Sequence, residues 1–138
     1  MKSLRCYSFL FMALLFISSH SQSSSSPLIE SSCKTGFSSV EAIGSLPGFC
    51  ISTTPEPEST FDSAAKNCES KGARLCSDRE WYKACKYSKN SEILGLGTRP
   101  EWVRQRHSTY AEIFGYSRCD WMSVGYVEHA YGSRCCYR

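Results

Sequence analysis

The sequence predicts a small α+β domain held together by disulfides, with two helices packed on a short, irregular antiparallel sheet. Three observations lead to this class. The cysteines behind an apparent secretory leader are even in number, two helical patterns come first in the domain, and the last third of the chain is rich in glycine, tyrosine and tryptophan. Helical segments that precede strand-forming segments, rather than alternating with them, are the pattern of α+β domains.

The first 21 residues have the features of a secretory signal peptide. Two basic residues precede an apolar run from Tyr7 to Ile17, and small residues follow at the expected cleavage site. The run is shorter than the roughly 20 apolar residues that a membrane span needs. We therefore expect cleavage after residue 21, a serine-rich linker at 22–32, and one domain at 33–138. The domain is expected to be secreted and extracellular, or periplasmic in a bacterium.

Removal of the leader leaves a nearly neutral chain with an even number of cysteines. Cys6 and two basic residues are lost, from a chain with nine cysteines and a net charge of +3. Near-neutrality argues against nucleic acid as a partner, because phosphate binding needs a strong basic excess. In an oxidising compartment the remaining cysteines predict four disulfides ahead of zinc, and no Cys-x-x-Cys motif is present. We expect no metal and no cofactor.

The domain begins with a predicted strand and a predicted loop. The segment LPGFCIS enters a strand with Phe49 and Ile51 on one face. The segment TTPEPEST follows, and its two prolines favour a loop because proline lacks the backbone N–H that regular structure uses.

A first helix is predicted by an apolar stripe with helical spacing. Phe61 and Cys68 bound that stripe, with two alanines between them at i+3 and i+4. Ser59 or Thr60 can cap its start, and Gly72 can end it.

A second helix is predicted by a capping box. Ser77 and Glu80 have the S-x-x-E spacing, and Trp81, Ala84 and Cys85 then form the inner face. Lys83 is expected on the exposed side of this helix.

The second helix restricts which cysteines can pair. Nine residues of helix separate Cys76 from Cys85 by about 13 Å, whereas a disulfide needs Cα atoms within about 7 Å. Cys135 and Cys136 are adjacent, and a bridge between neighbours is strained. Excluding these two bridges leaves about 78 of the roughly 105 possible connectivities, so geometry alone leaves the pairing open.

The last third of the chain, from Asn90 onward, predicts loops and short strands. The run WMSVGYV is one strand candidate, and SRCCYR closes the domain as another.

Several motifs resemble the formylglycine-generating, or sulfatase-modifying factor, family. The stretch from FCIS to GARLCSDREWYKAC resembles the N-terminal half of that family, PEWV resembles its GNVWEW segment, and YGSRCCYR resembles its closing GFRC strand. The resemblance runs from about Phe49 to Arg138 and is densest at Gly72–Cys85. The family fold is a variant of the C-type lectin fold, whose first-helix pattern also fits, so a C-type-lectin-like domain is implied.

The resemblance also implies a disulfide pattern. By position in the family motifs, Cys68 pairs with Cys135 and Cys85 pairs with Cys119. Cys76 and Cys136 each neighbour a member of the first pair and are expected to form the third bridge. Cys33 and Cys50 then remain for the fourth.

The catalytic equipment of the family does not carry over. The family resembles a copper-dependent oxidase that uses two cysteines just upstream of an RYRC-like segment, and here no cysteine precedes Cys119 in HSTYAEIFGYSRC. Two thiolates are needed for a soft Cu(I) site, so we expect no catalytic residues and no enzyme. The remaining acid–base candidates, which nothing in the sequence brings together, are His107, Glu112, Asp120 and His129.

A secreted, non-catalytic recognition module for an extracellular carbohydrate or protein ligand is the favoured interpretation. A structural envelope or matrix protein and a divergent enzyme of the resembled family are the alternatives. Aromatic faces with a polar edge suit sugars and peptides, and arginines suit an acidic partner. The candidate ligand-binding residues are Trp121, Tyr126, Tyr131, Arg104 and Arg106, whereas Trp81 and Trp102 are expected in the core.

Overall fold

A computed structural model describes residues 33–88 and 93–138. The predicted signal peptide and serine-rich linker, residues 1–32, lie outside the described residues. Within the two described ranges, no helix is long and apolar enough to cross a membrane.

Nine strands and two helices make up the described chain. In order they are β1 (Phe37–Val40), β2 (Phe49–Ser52), β3 (Glu56–Ser59), α1 (Phe61–Ser70), β4 (Arg74–Leu75), α2 (Asp78–Tyr87), β5 (Glu101–His107), β6 (Tyr110–Phe114), β7 (Met122–Tyr126), β8 (Tyr131–Ser133) and β9 (Cys135–Tyr137). The α+β class with two helices is therefore confirmed.

The strands form two sheets rather than one. The smaller sheet has the order β1-β2-β9-β4 and is antiparallel throughout. The larger sheet has the order β3-β8-β5-β6-β7, and within it β5 and β8 pair in parallel. The sheet is thus mostly antiparallel, as expected, with one parallel pair at its centre.

Both predicted helices form where their sequence patterns place them. Thr60 occupies the N-cap of α1, although its hydroxyl bonds Ser63 rather than a backbone amide. Gly72 follows the end of α1 with φ of +63°, a left-handed conformation that favours glycine. At α2 both hydrogen bonds of the capping box are present between Ser77 and Glu80.

Two apolar clusters form the core, and each one contains a disulfide. The first contains Trp81 at its centre and the Cys76–Cys136 bridge, and the second contains Trp102 and the Cys68–Cys135 bridge. Both tryptophans are fully buried, as the sequence predicts.

The four disulfides are the four pairs that the resemblance implies. Besides the two core bridges, Cys33 joins Cys50 and Cys85 joins Cys119. The Cα atoms of the Cys76–Cys136 pair lie 4.8 Å apart, and those of the other pairs lie 5.2 to 5.7 Å apart.

The prediction of a loop at TTPEPEST is wrong, because Glu56–Ser59 forms β3. Within the part of the chain that the structure describes, this strand is at the edge of the larger sheet and pairs with β8 only. The register shifts between Glu56 and Ser59, so Pro57 falls in an irregular part of the ladder. An edge position with a bulge tolerates the missing N–H of proline.

The prediction that Lys83 is exposed is also wrong. Its side chain is only 4% exposed, its ammonium donates a hydrogen bond to the carbonyl of Leu46 at 3.2 Å, and it lies 5.8 Å from the centre of the Phe49 ring. Burial lowers the pKa of the Lys83 ammonium. The long aliphatic stem lets lysine cover apolar surface while its charge reaches a polar group.

Candidate functional site

A buried ion pair fixes the centre of the domain. The guanidinium of Arg134 and the carboxylate of Glu101 are both fully buried and lie 3.3 Å apart. Arg134 also donates to the carbonyls of Ser52 and Thr53 at 3.0 Å each, and to the carbonyl of Leu94. One side chain therefore ties the junction between β8 and β9, the end of β2 and the segment before β5 together.

Glu101 is held by the core as well. The indole N–H of Trp81 donates to its carboxylate at 2.7 Å, which connects α2 to β5. Burial raises the pKa of the Glu101 carboxyl, and the charge of Arg134 with the Trp81 hydrogen bond only partly offsets this effect. Because every polar atom of this network faces another protein group, the network is scaffold rather than a ligand site.

An exposed apolar stripe runs along the last strand of the larger sheet. Met122, Val124 and Tyr126 alternate along β7 and are 60%, 57% and 52% exposed. Tyr110 lies beside Tyr126 across the β6–β7 ladder, with ring centres 4.7 Å apart and hydroxyls 3.4 Å apart. We call these four residues, with His129, the β7 face. The Tyr126 hydrogen bond raises the pKa of the Tyr110 hydroxyl.

The three predicted aromatic ligand residues have different surroundings. Tyr126 is exposed in the β7 face, and the His129 ring lies 5.4 Å from it. Tyr131 is half-buried and packs edge-on against the core Trp102 at 4.8 Å. Trp121 is half-buried against Tyr116 at 5.6 Å. The sequence prediction therefore combined one surface residue with two that lie at the margin of the core.

A basic cleft lies at the junction of the two sheets. It has a volume of about 430 Å³ and contains the three arginines Arg74, Arg104 and Arg138. Gly72, Ala73, Cys136 and Tyr137 complete its lining. We call it the arginine cleft.

The structure separates the two arginines that the sequence grouped together. Arg104 lines the arginine cleft, whereas Arg106 pairs with Asp62 and lies 5.5 Å from the centre of the Phe61 ring. Two cleft arginines, at positions 74 and 138, were missed because each lies apart from the others in the sequence. The capping glutamate Glu80 lies six residues from Arg74 but 58 residues from Arg138, so it could have pointed to Arg74 alone.

Glu80 organises one side of the cleft. Arg74 donates two hydrogen bonds of 2.7 Å to its carboxylate, Arg138 approaches it at 3.5 Å, and Ser77 adds a backbone and a hydroxyl bond of 3.0 Å each. Burial alone would raise the pKa of the Glu80 carboxyl, but the bonds from Arg74 and Ser77 and the charge of Arg74 lower it to about 2. The carboxylate is therefore ionised at neutral pH.

The acid–base candidates do not form one constellation. His107 and Glu112 face each other across the β5–β6 ladder at 4.0 Å, whereas Asp120 pairs with Arg118 and His129 stacks near Tyr126. Within residues 33–88 and 93–138, no group of three His, Cys, Asp or Glu side chains is placed as a metal site requires.

Comparison with solved structures identifies the fold. The crystal structure of mouse CD72a CTLD, a C-type lectin-like domain, superposes with a TM-score of 0.54 at 17% sequence identity and covers 76% of this chain and 92% of that chain. No family model and no curated protein matches the chain, so the sulfatase-modifying factor resemblance rests on the sequence motifs alone. The likeness in structure is a likeness of fold, and this chain has a disulfide-rich C-type lectin-like fold.

Proposed function

We propose that this chain is a secreted, non-catalytic recognition module that binds an extracellular protein through the β7 face. The supporting observation is the apolar stripe on β7, where three alternate side chains are each more than half exposed. In a sheet with one solvated face, the outward positions are normally polar. A contiguous apolar patch on a soluble domain is typical of an interaction site.

The backbone of β7 favours a protein over a carbohydrate ligand. In the described sheet β7 is the last strand and pairs only with β6, so no strand lies along its other edge, although the Tyr126 carbonyl accepts a 2.9 Å hydrogen bond from the backbone N–H of His129. An extended segment of a partner can add to such an edge, with its side chains meeting Met122 and Val124. The Tyr110 and Tyr126 rings, which have polar hydroxyls, would also suit a sugar, and a carbohydrate ligand is therefore an outcome of the test.

No contact within the described residues specifically supports the two alternative functions, a divergent enzyme and a structural matrix protein. A divergent enzyme would need its acid and base together, and the one close pair, His107 with Glu112, is a lone cross-strand contact. A purely structural matrix role does not explain the exposed stripe on β7. Kinship with the sulfatase-modifying factors, inside the C-type lectin-like fold, remains a proposal supported by the Gly72–Cys85 motif.

Two panels of probes test the function, an array of purified extracellular protein domains and an array of glycans. Val124→Asp places a charge in the β7 face, and Leu94→Asp is its matched control because both side chains are 57% exposed. We expect binding to at least one protein domain, weakened about tenfold or more by Val124→Asp because a buried unpaired charge is costly, and unchanged by Leu94→Asp. Binding to glycans alone would refute the protein ligand, and binding to neither array would refute the recognition module.

Secretion has its own test. Expression of the whole sequence in a secretory host should release a chain whose first residue is near Gln22, as read by N-terminal sequencing. Released protein that retained residues 1–21 would contradict the signal peptide.

A further inference from the structure

We propose that the arginine cleft is a second binding site and that it takes sulfate ester groups of an extracellular polysaccharide. The choice of an extracellular ligand rests on the proposed secretion. The oxyanion site itself rests only on the arrangement of the cleft and does not depend on the β7 face.

The cleft is built where strand pairing, a backbone hydrogen bond and a disulfide join β4, β5 and β9. β4 pairs with β9 in the register Arg74 with Cys136, and the next residue, Cys76, accepts a 2.8 Å hydrogen bond from the backbone N–H of Arg104 on β5. The Cys76–Cys136 disulfide lies directly behind these segments. The backbones of three arginines that are distant in sequence are therefore held around one opening, and such backbone preorganisation lowers the entropy lost on binding.

The positive charge of the cleft is not neutralised by its acidic neighbour. Arg74 and Arg138 share the single carboxylate of Glu80, and both approach the same oxygen, Oε1. That carboxylate also accepts two hydrogen bonds from Ser77, so most of its acceptor positions are already occupied. Arg104 has no ion-pair partner in the described part of the chain. Among the described side chains, three guanidinium groups thus meet one carboxylate, and a bound anion would offset the excess positive charge.

Small residues keep the cleft open. Gly72 has no side chain and Ala73 only a methyl group, and both line the cleft next to Arg74. A Cβ at Gly72 would lie 3.0 Å from the ammonium of Lys34, so a fourth cation borders the same surface. The volume of about 430 Å³ exceeds a single oxyanion and falls in the range of small-ligand sites.

The number of donors favours a tetrahedral oxyanion over a carboxylate. A carboxylate is planar and matches the two parallel N–H groups of one guanidinium fork, as in the two 2.7 Å bonds between Arg74 and Glu80. A sulfate ester presents three terminal oxygens in different directions, so it can accept bonds from arginines on different sides of a cleft. Because the volume is larger than one such group, the sugar that carries the sulfate can enter with it.

The test is a titration of the intact secreted protein, with disulfides in place, by a defined sulfated tetrasaccharide at physiological salt. Arg104→Ala is the main variant because Arg104 stabilises no acidic neighbour, and Arg138→Gln is the second. Arg118→Ala is the charge-matched control, since Arg118 is exposed and pairs with Asp120 outside the cleft. Thermal unfolding of each variant verifies that the fold is intact.

We expect the wild type to bind and Arg104→Ala to bind about tenfold more weakly, as for a lost charge-assisted hydrogen bond. Arg138→Gln should also weaken binding, while Arg118→Ala should leave it unchanged. Val124→Asp should leave it unchanged too, so failure of the β7 proposal and failure of this one are distinguishable.

Three outcomes would overturn the inference. The first is no binding by the wild type. The second is equal weakening by Arg104→Ala and Arg118→Ala, which would indicate attraction to net charge alone. The third is equal affinity for a polyglutamate or phosphoserine peptide with the same Arg104 dependence, which would assign the cleft to an acidic protein segment instead.

Discussion

Acid destabilises the domain in part through protonation of Glu80. Replacing Glu80 by glutamine should therefore make the free energy of unfolding much less sensitive to acid pH. The Glu80 carboxylate is fully buried and receives two hydrogen bonds from Arg74 and two from Ser77. Glutamine keeps the shape and one acceptor oxygen, but it removes the charge. Arg74 then faces an amide that offers only one acceptor.

The magnitude follows from the pKa of Glu80. Its ordinary value is 4.5, and the folded protein lowers it to about 2. Each pKa unit corresponds to about 1.4 kcal/mol, so the ionised carboxylate contributes about 3 kcal/mol to the free energy of unfolding. Because the folded pKa is lowered, this contribution is fully present above pH 4.5 and is lost as the pH falls towards 2.

The assay is denaturant unfolding of the wild type and Glu80→Gln, with disulfides intact, from pH 7 to pH 2. The variant should be about 3 kcal/mol less stable at pH 7, and the difference should shrink to nearly zero at pH 2. Glu69→Gln, on the exposed side of α1, should show no such pH-dependent difference. A gap between wild type and Glu80→Gln that stays constant with pH would refute the linkage.

Three further perturbations address the core. Trp81→Ala should cost about 3–5 kcal/mol because it empties the centre of one core cluster, and a protein as stable as wild type would exclude that role. Lys83→Ala should cost about 1–2 kcal/mol through its buried stem and lost hydrogen bond, measured against a near-neutral Lys66→Ala control. Replacing both cysteines of Cys68–Cys135, which lie 67 residues apart, should cost about 4 kcal/mol by the loop-entropy relation, and an unchanged melting temperature would argue against it.

The helices were predictable because their signals are local. The Ser77–Glu80 capping box and the apolar stripe ending at Cys68 each lie within one or two turns of chain, and both describe the helices that form. The final strand, Cys135–Tyr137, was predictable for the same reason. Helix caps and the helical spacing of apolar residues both depend on residues that are close together in the sequence.

The strand β5 was not predictable because its burial does not alternate. Its first three residues, Glu101–Val103, are all buried, and its last four, Arg104–His107, are all exposed. The alternation of apolar and polar residues that indicates a half-buried strand is therefore absent. The basic residues at the end of β5 resemble an exposed, charged segment.

The arginine cleft and the Glu101–Arg134 pair were missed for a different reason. The residues that meet there lie 30 to 64 positions apart in the sequence and come together through the fold, so no local spacing marks them. In the sequence Arg134 is one charged residue between Ser133 and two cysteines, and only the fold reveals it as buried.

Because Cys135 and Cys136 are adjacent in β9, the register of that strand and the pairing of the two cysteines determine each other. Successive residues of a strand point to opposite faces, so one sulfur enters the Trp102 cluster and the next enters the Trp81 cluster. A slip of β9 by a single residue would exchange the two faces and offer each sulfur to the wrong partner. The two native bridges therefore fit only one register of β9, and once closed they prevent the strand from shifting.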